Sequence, residues 1–149
     1  MKLEPELVTI FGRPGKYKTS FMICSVNYYL EFNKKVLFFS LEHSLSDISQ
    51  RLHNGPLFTY DYVIKDMKEV YDYINEIRPD CVFVDYLELL PNRNQAIEEL
   101  RRIVDEFKIK VYFNSQLVIK FEKIKDRDEI EKELKDDLAY KLSDRIEIY

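Results

Sequence analysis

Apolar and polar positions alternate in blocks along this chain. Short apolar runs at Leu7–Phe11, Val36–Phe39 and Cys81–Asp85, and the stretch Lys110–Asn114, read as strands, with Val36–Phe39 buried on both faces and Cys81–Asp85 buried as well. Between them apolar residues recur at helical spacing. Phe21, Cys24, Tyr28 and Phe32 mark a first helix, with Asn33 as its stop. A second is expected from Ser44 or Ser46 to about Leu52, broken by Asn54-Gly55-Pro56, after which Leu57–Val63 has room for a short strand. Met67, Val70, Ile74 and Ile77, ahead of Pro79, mark a third helix, and Ile97, Leu100, Val104 and Phe107 a fourth. The charged segment Lys120–Asp137 leads into one helical stripe of Ile130, Leu134, Leu138 and Leu142, and Arg145–Tyr149 alternates as a last strand. Strand and helix in alternation predict an α/β fold: a mostly parallel sheet with helices on both faces, one domain over residues 1–149.

Length agrees with a single core, since 149 residues can bury one substantial interior. A net charge of −4 argues against holding nucleic acid by bulk charge and leaves only a local basic loop for such contact. No apolar run approaches the ~18 residues of a membrane span. Cys24 and Cys81 lack C-x-x-C spacing and read as buried small hydrophobes in a reducing cytoplasm. His43 and His53 have no ligand partners at useful sequence spacing and read as surface residues.

The chemistry is concentrated where strands stop. Val8–Ser20, VTIFGRPGKYKTS, is an apolar strand that halts at Gly12, a short loop, and a helix opening at Lys18-Thr19. That is the plan of a phosphate-cradling P-loop, G-x-x-x-x-G-K-[ST], over Gly12, Arg13, Pro14, Gly15, Lys16, Tyr17, Lys18, Thr19 and Ser20. Tyr17 stands where the pattern has a glycine that lets backbone approach phosphate, so an altered loop geometry is expected. Glu42, Asp85 and Gln116 follow or end the next three apolar strands. In such sheets ligands bind beyond the carboxyl ends of strands, where all four features fall.

Several stretches resemble the RecA-fold ATPase domain of DnaB-type replicative DNA helicases. GRPGKYKTS resembles that family's P-loop, VLFFSLEHSLSDISQRL the segment after its second strand, DCVFVDYLELL its Walker B strand and VYFNSQL its Ser-Gln-Leu motif. The tail Leu138–Tyr149 is similar to its last core helix and strand. The resemblance implies a three-layer RecA-like P-loop core that uses ATP and Mg²⁺ in DNA replication or recombination, in a virus or plasmid. It assigns Lys18 to the β/γ-phosphates, Thr19 and Asp85 to the metal, and Glu42 to the attacking water. Gln116 becomes a sensor of the γ-phosphate. Lys120, Lys123, Lys125 and Arg127 stand where the family has a single-stranded-DNA loop. A homo-oligomeric ring or filament, or a helicase partner, is implied as well. No stretch resembles the family's arginine finger, worth roughly 10³–10⁵ in rate, so turnover in isolation is expected to be slow. With Tyr17, this keeps a second expectation open: a weak or inactive accessory module that binds a helicase partner or single-stranded DNA.

Overall fold

A computed structural model describes residues 3–12, 17–61, 63–116 and 127–148. Six strands, β1 (Glu6–Gly12), β2 (Val36–Ser40), β3 (Leu57–Tyr60), β4 (Cys81–Asp85), β5 (Lys110–Gln116) and β6 (Arg145–Ile148), form one sheet in the order β3-β2-β4-β5-β1-β6. Every neighbouring pair is parallel. Parallel pairing forces each connection to cross from one end of the sheet to the other, and helices make most of those crossings. They are α1 (Tyr17–Glu31), α2 (Leu45–Ile48), α3 (Met67–Ile77), α4 (Arg93–Phe107), α5 (Arg127–Leu134) and α6 (Leu138–Leu142).

The period-two pleat sorts the apolar runs onto two faces. Val8, Ile10, Val36, Phe38, Cys81, Phe83 and Tyr112 face α1 and Ile48 of α2. Leu7, Leu37, Phe39, Val82, Val84, Val111 and Phe113 face α3, α4, α5 and α6. The central strands β2 and β4 are buried at every residue, which is why they read as continuous apolar runs. On the α1 face, Tyr112 stacks on Phe83 at 4.7 Å between ring centres, and its hydroxyl meets that of Tyr29 at 2.7 Å. Burial, and then that bond, push the Tyr29 phenol far above its ordinary range.

Sequence and structure part in three places. The extent of α1 is as expected, but its buried side is Met22, Ile23, Val26, Tyr29 and Leu30, while Cys24, Tyr28 and Phe32 are exposed. This helix is apolar on more than one side, so spacing finds the helix without deciding which side packs. Cys24 is therefore not a core residue, whereas Cys81 is buried and its thiol is pushed up by burial. The second helix is a single turn, α2, continued by a 3₁₀ turn at Ser49–Arg51. The stripe from Ile130 to Leu142 is two helices, because the Asp137 carboxylate accepts the Ala139 amide and opens α6 afresh. Helices α1, α3 and α4 stop at Asn33, Arg78 and Lys108, each with a positive φ, in a chain with only 3 glycines.

Candidate functional site

The sheet carries β2, β4, β5 and β1 side by side, and their carboxyl ends bring the predicted residues together. Ser40 pairs with Asp85 in register, and Gly12 with Gln116. Lys18 and Thr19, in the first turn of α1, are 4% and 8% exposed, unusual for such residues unless held. The Thr19 hydroxyl donates to Asp85 Oδ2 at 3.1 Å, tying α1 to the end of β4. The Asn114 amide donates to Asp85 Oδ1 at 2.7 Å. Asp85 is wholly buried, and among the described residues both hydrogen bonds to its carboxylate come from neutral donors. The peptide that follows, Asp85–Tyr86, is cis.

Lys18 crosses Gly12. Its side chain runs so close to Cα that a Cβ on Gly12 would lie 2.4 Å from Lys18 Cγ, and its ammonium rests 4.9 Å from the centre of the Tyr86 ring. The Tyr86 hydroxyl is held above the usual phenol range by burial, then by the negative charges of Glu42, Glu88 and Asp85. Glu42 is exposed on the turn after β2, and the amides of Leu41 and Glu42 donate to the Asp85 carbonyl at 2.8 and 3.2 Å. Thr19, Ser20, Glu42, His43, Asp47, Ile48 and Arg51 line an open cleft of about 690 Å³.

Gln116 lies half-buried at the end of β5, where its backbone N–H donates to Glu88 Oε1 at 3.2 Å, and the Ser115 hydroxyl donates to the same oxygen at 2.5 Å. Arg93, opening α4, donates to Ser115 at 3.0 Å and to Asp137 at 3.2 Å. Neither Glu88 nor Arg93 was expected from sequence, since nothing in a helix-start arginine distinguishes it from a surface charge. His43 is half-exposed, in keeping with a surface residue, but its ring lies beside Glu42 at 3.8 Å and near Asp85. Arg13, Pro14, Gly15 and Lys16 lie outside the described residues, as do Lys120, Lys123 and Lys125. Tyr17 and Arg127 begin α1 and α5.

A parallel α/β sheet in this strand order, with a lysine-threonine helix start joined to a buried strand-end aspartate, has the RecA-like fold. Solved structures agree on that fold. An ATPase domain matches with a TM-score of 0.76 at 18% identity, over 97% of this chain and 69% of its own. A DnaB-like replicative helicase, solved with its interactions with primase, gives 0.71 at 18%, over 83% of this chain and 42% of its own. A KaiC-like protein from the hyperthermophilic archaeon Pyrococcus horikoshii gives 0.60 at 14%, over 76% and 62%. At these identities the likeness is one of fold. No protein-family profile and no curated protein sequence matches the chain. Among the described residues, no helix is long and apolar enough to cross a membrane.

Proposed function

We propose that this chain is an ATP-binding RecA-like core that hydrolyses ATP with Mg²⁺ and couples that reaction to single-stranded DNA in replication or recombination. The observation that carries this reading is the bond from the Thr19 hydroxyl to buried Asp85, beside an equally buried Lys18. Phosphoryl transfer needs positioning and charge neutralisation more than covalent chemistry. Lys18 supplies a cation next to the turn where backbone amides of the loop and α1 would meet phosphate. Thr19 and Asp85 offer oxygen donors, and a buried carboxylate bonded by neutral partners suits a hard divalent cation. Mg²⁺ bound there would offset phosphate charge.

Glu42 has the chemistry of a general base: an exposed carboxylate over the cleft, able to orient a water and accept its proton. Gln116 is read as the group that passes a change at the γ-phosphate to the basic segment after β5, and the bonds that tie its backbone through Glu88 and Ser115 to Arg93 support that reading. Contact of Lys120, Lys123, Lys125 and Arg127 with DNA, and assembly into a ring or filament, belong to the same proposal. The DnaB-like neighbour is described with its interactions with primase, and a helicase or primase-type partner is a reasonable counterpart to seek for this chain.

Calorimetry of ATP with Mg²⁺ on the wild type, Lys18→Ala and Tyr17→Gly tests the reading. Micromolar binding that is lost in Lys18→Ala supports it, and turnover with and without single-stranded DNA then follows. Absent binding in the wild type, restored by Tyr17→Gly, overturns the enzyme reading. It favours the accessory module instead, for which Tyr17 in place of the pattern's glycine is the specific observation. Light-scattering mass with and without ATP tests assembly, and a monomer in both states removes the ring.

A further inference from the structure

We propose that Glu42, His43 and Asp85 form a nucleotide-independent site for a divalent transition-metal cation of the Mn²⁺, Co²⁺ and Zn²⁺ class. One ligand atom from each residue lies within 4.8 Å of the other two, and His43 Nε2 is 3.8 Å from Glu42 Oε2. An ion with ligands at ~2.0–2.2 Å needs its donors roughly an ångström closer together than the widest of these separations. The two flexible members can supply that movement, because Glu42 is exposed and His43 half-exposed, whereas Asp85 is fixed by Thr19 and Asn114.

The backbone that carries the three groups is already tied together. The Ser40 hydroxyl donates to the His43 carbonyl at 2.8 Å, and the Leu41 and Glu42 amides donate to the Asp85 carbonyl. The exit of β2 and the end of β4 therefore act as one unit. Burial adds to the geometry: Asp85 is 0% exposed, its carboxylate accepts from the neutral donors Thr19 and Asn114, and among the described residues no ion pair joins it. A charge so buried is costly unless countered.

The imidazole sets the class. Mg²⁺ prefers oxygen alone and gives up water reluctantly, while imidazole with carboxylates suits Zn²⁺, Co²⁺ and Mn²⁺. The open cleft beside the cluster leaves coordination positions for water. A cation ligated by Glu42 also occupies the carboxylate that the proposed hydrolysis needs free, so such a cation opposes turnover. This inference goes beyond the ATPase reading and does not depend on it, because its test contains no nucleotide.

The test is calorimetric titration of ZnCl₂ into the nucleotide-free chain, with wild type, His43→Asn and His53→Asn compared, and MgCl₂ run in parallel. His53→Asn is the control because His53 also lies beside a carboxylate, Glu31, at 3.3 Å. One Zn²⁺ per chain is expected, with affinity lower by about tenfold or more in His43→Asn, the scale on which even outer-shell partners count. His53→Asn should match the wild type, and Mg²⁺ should bind far more weakly in all three. Circular dichroism melts confirm that the variants fold, as a partly exposed histidine predicts. Wild-type affinity in His43→Asn, or no Zn²⁺ uptake by the wild type, overturns the proposal.

Discussion

Replacing Gly12 by alanine places a methyl group inside the stem of Lys18. The new Cβ would sit 2.4 Å from Lys18 Cγ and 2.7 Å from Cδ, well inside van der Waals contact. These are mid-chain atoms of a side chain that is 4% exposed, so the stem cannot swing into solvent without leaving its bed. Forcing an extra carbon into packed surroundings costs about 1–3 kcal/mol. At the size of this domain that lowers the thermal midpoint by roughly 2–4 °C per kcal/mol. The larger effect falls on the site, because the ammonium is displaced from its place over the Tyr86 ring and ATP affinity should fall well beyond the stability loss. Gly55→Ala calibrates the argument: its Cβ meets Leu30 Cδ2 at 3.1 Å and Cβ at 3.3 Å, a softer contact away from the site. Thermal melts and calorimetric ATP titration on both variants decide the matter. If Gly12→Ala melts and binds like wild type, or if Gly55→Ala is the more damaged, the packing of Lys18 across Gly12 is refuted.

Acid should weaken the fold partly through Asp144. Burial pushes its carboxyl up, but the Leu7 amide and the Arg101 guanidinium, each at 2.8 Å, outweigh that and hold it below the ordinary carboxylate range. A depressed native value gives stability that is present above the unfolded value of 3.8 and is lost as pH falls through the folded one. Asp144→Asn should therefore lower the urea midpoint at neutral pH and flatten its decline in acid, and parallel curves for the two proteins would contradict this. Lys108, exposed and at φ 55 after α4, holds a conformation that costs side-chain-bearing residues roughly 1 kcal/mol. Lys108→Gly should raise the thermal midpoint by a few degrees, and a lower midpoint would mean that Lys108 makes a contact worth more than the strain.

The fold was legible because the sheet is parallel and buried on both sides. VLFFS and CVFVD have no polar residue before their last position, and their short length and β-branched and aromatic content suit strands better than helices. The strand-end positions of Glu42 and Asp85 were legible because each follows or ends such a run, and that of Gln116 because it ends the next strand. The packing side of α1 was not, because Cys24, Tyr28 and Phe32 have the same spacing as the residues that do pack. The break at Asp137 was hidden because a capping carboxylate reads as one more surface charge. His43 was passed over for a reason of distance: Asp85 lies 42 positions away along the chain and beside it only through the pairing of β2 with β4. Sequence spacing finds ligands on one element, whereas sheet register joins ligands on two.

Arg93 also bears on how the chain could vary. It grips Ser115 at the end of β5 and Asp137 at the start of α6, so the ends of the stretch between them are fastened by a residue outside it. With its ends held, doubling the length of a connection costs only ~0.6 kcal/mol. Insertions or exchanges between Gln116 and Arg127 should therefore leave the sheet standing while altering whatever that stretch touches. The arrangement separates a part that must be kept from a part free to diverge, and one guanidinium marks the border.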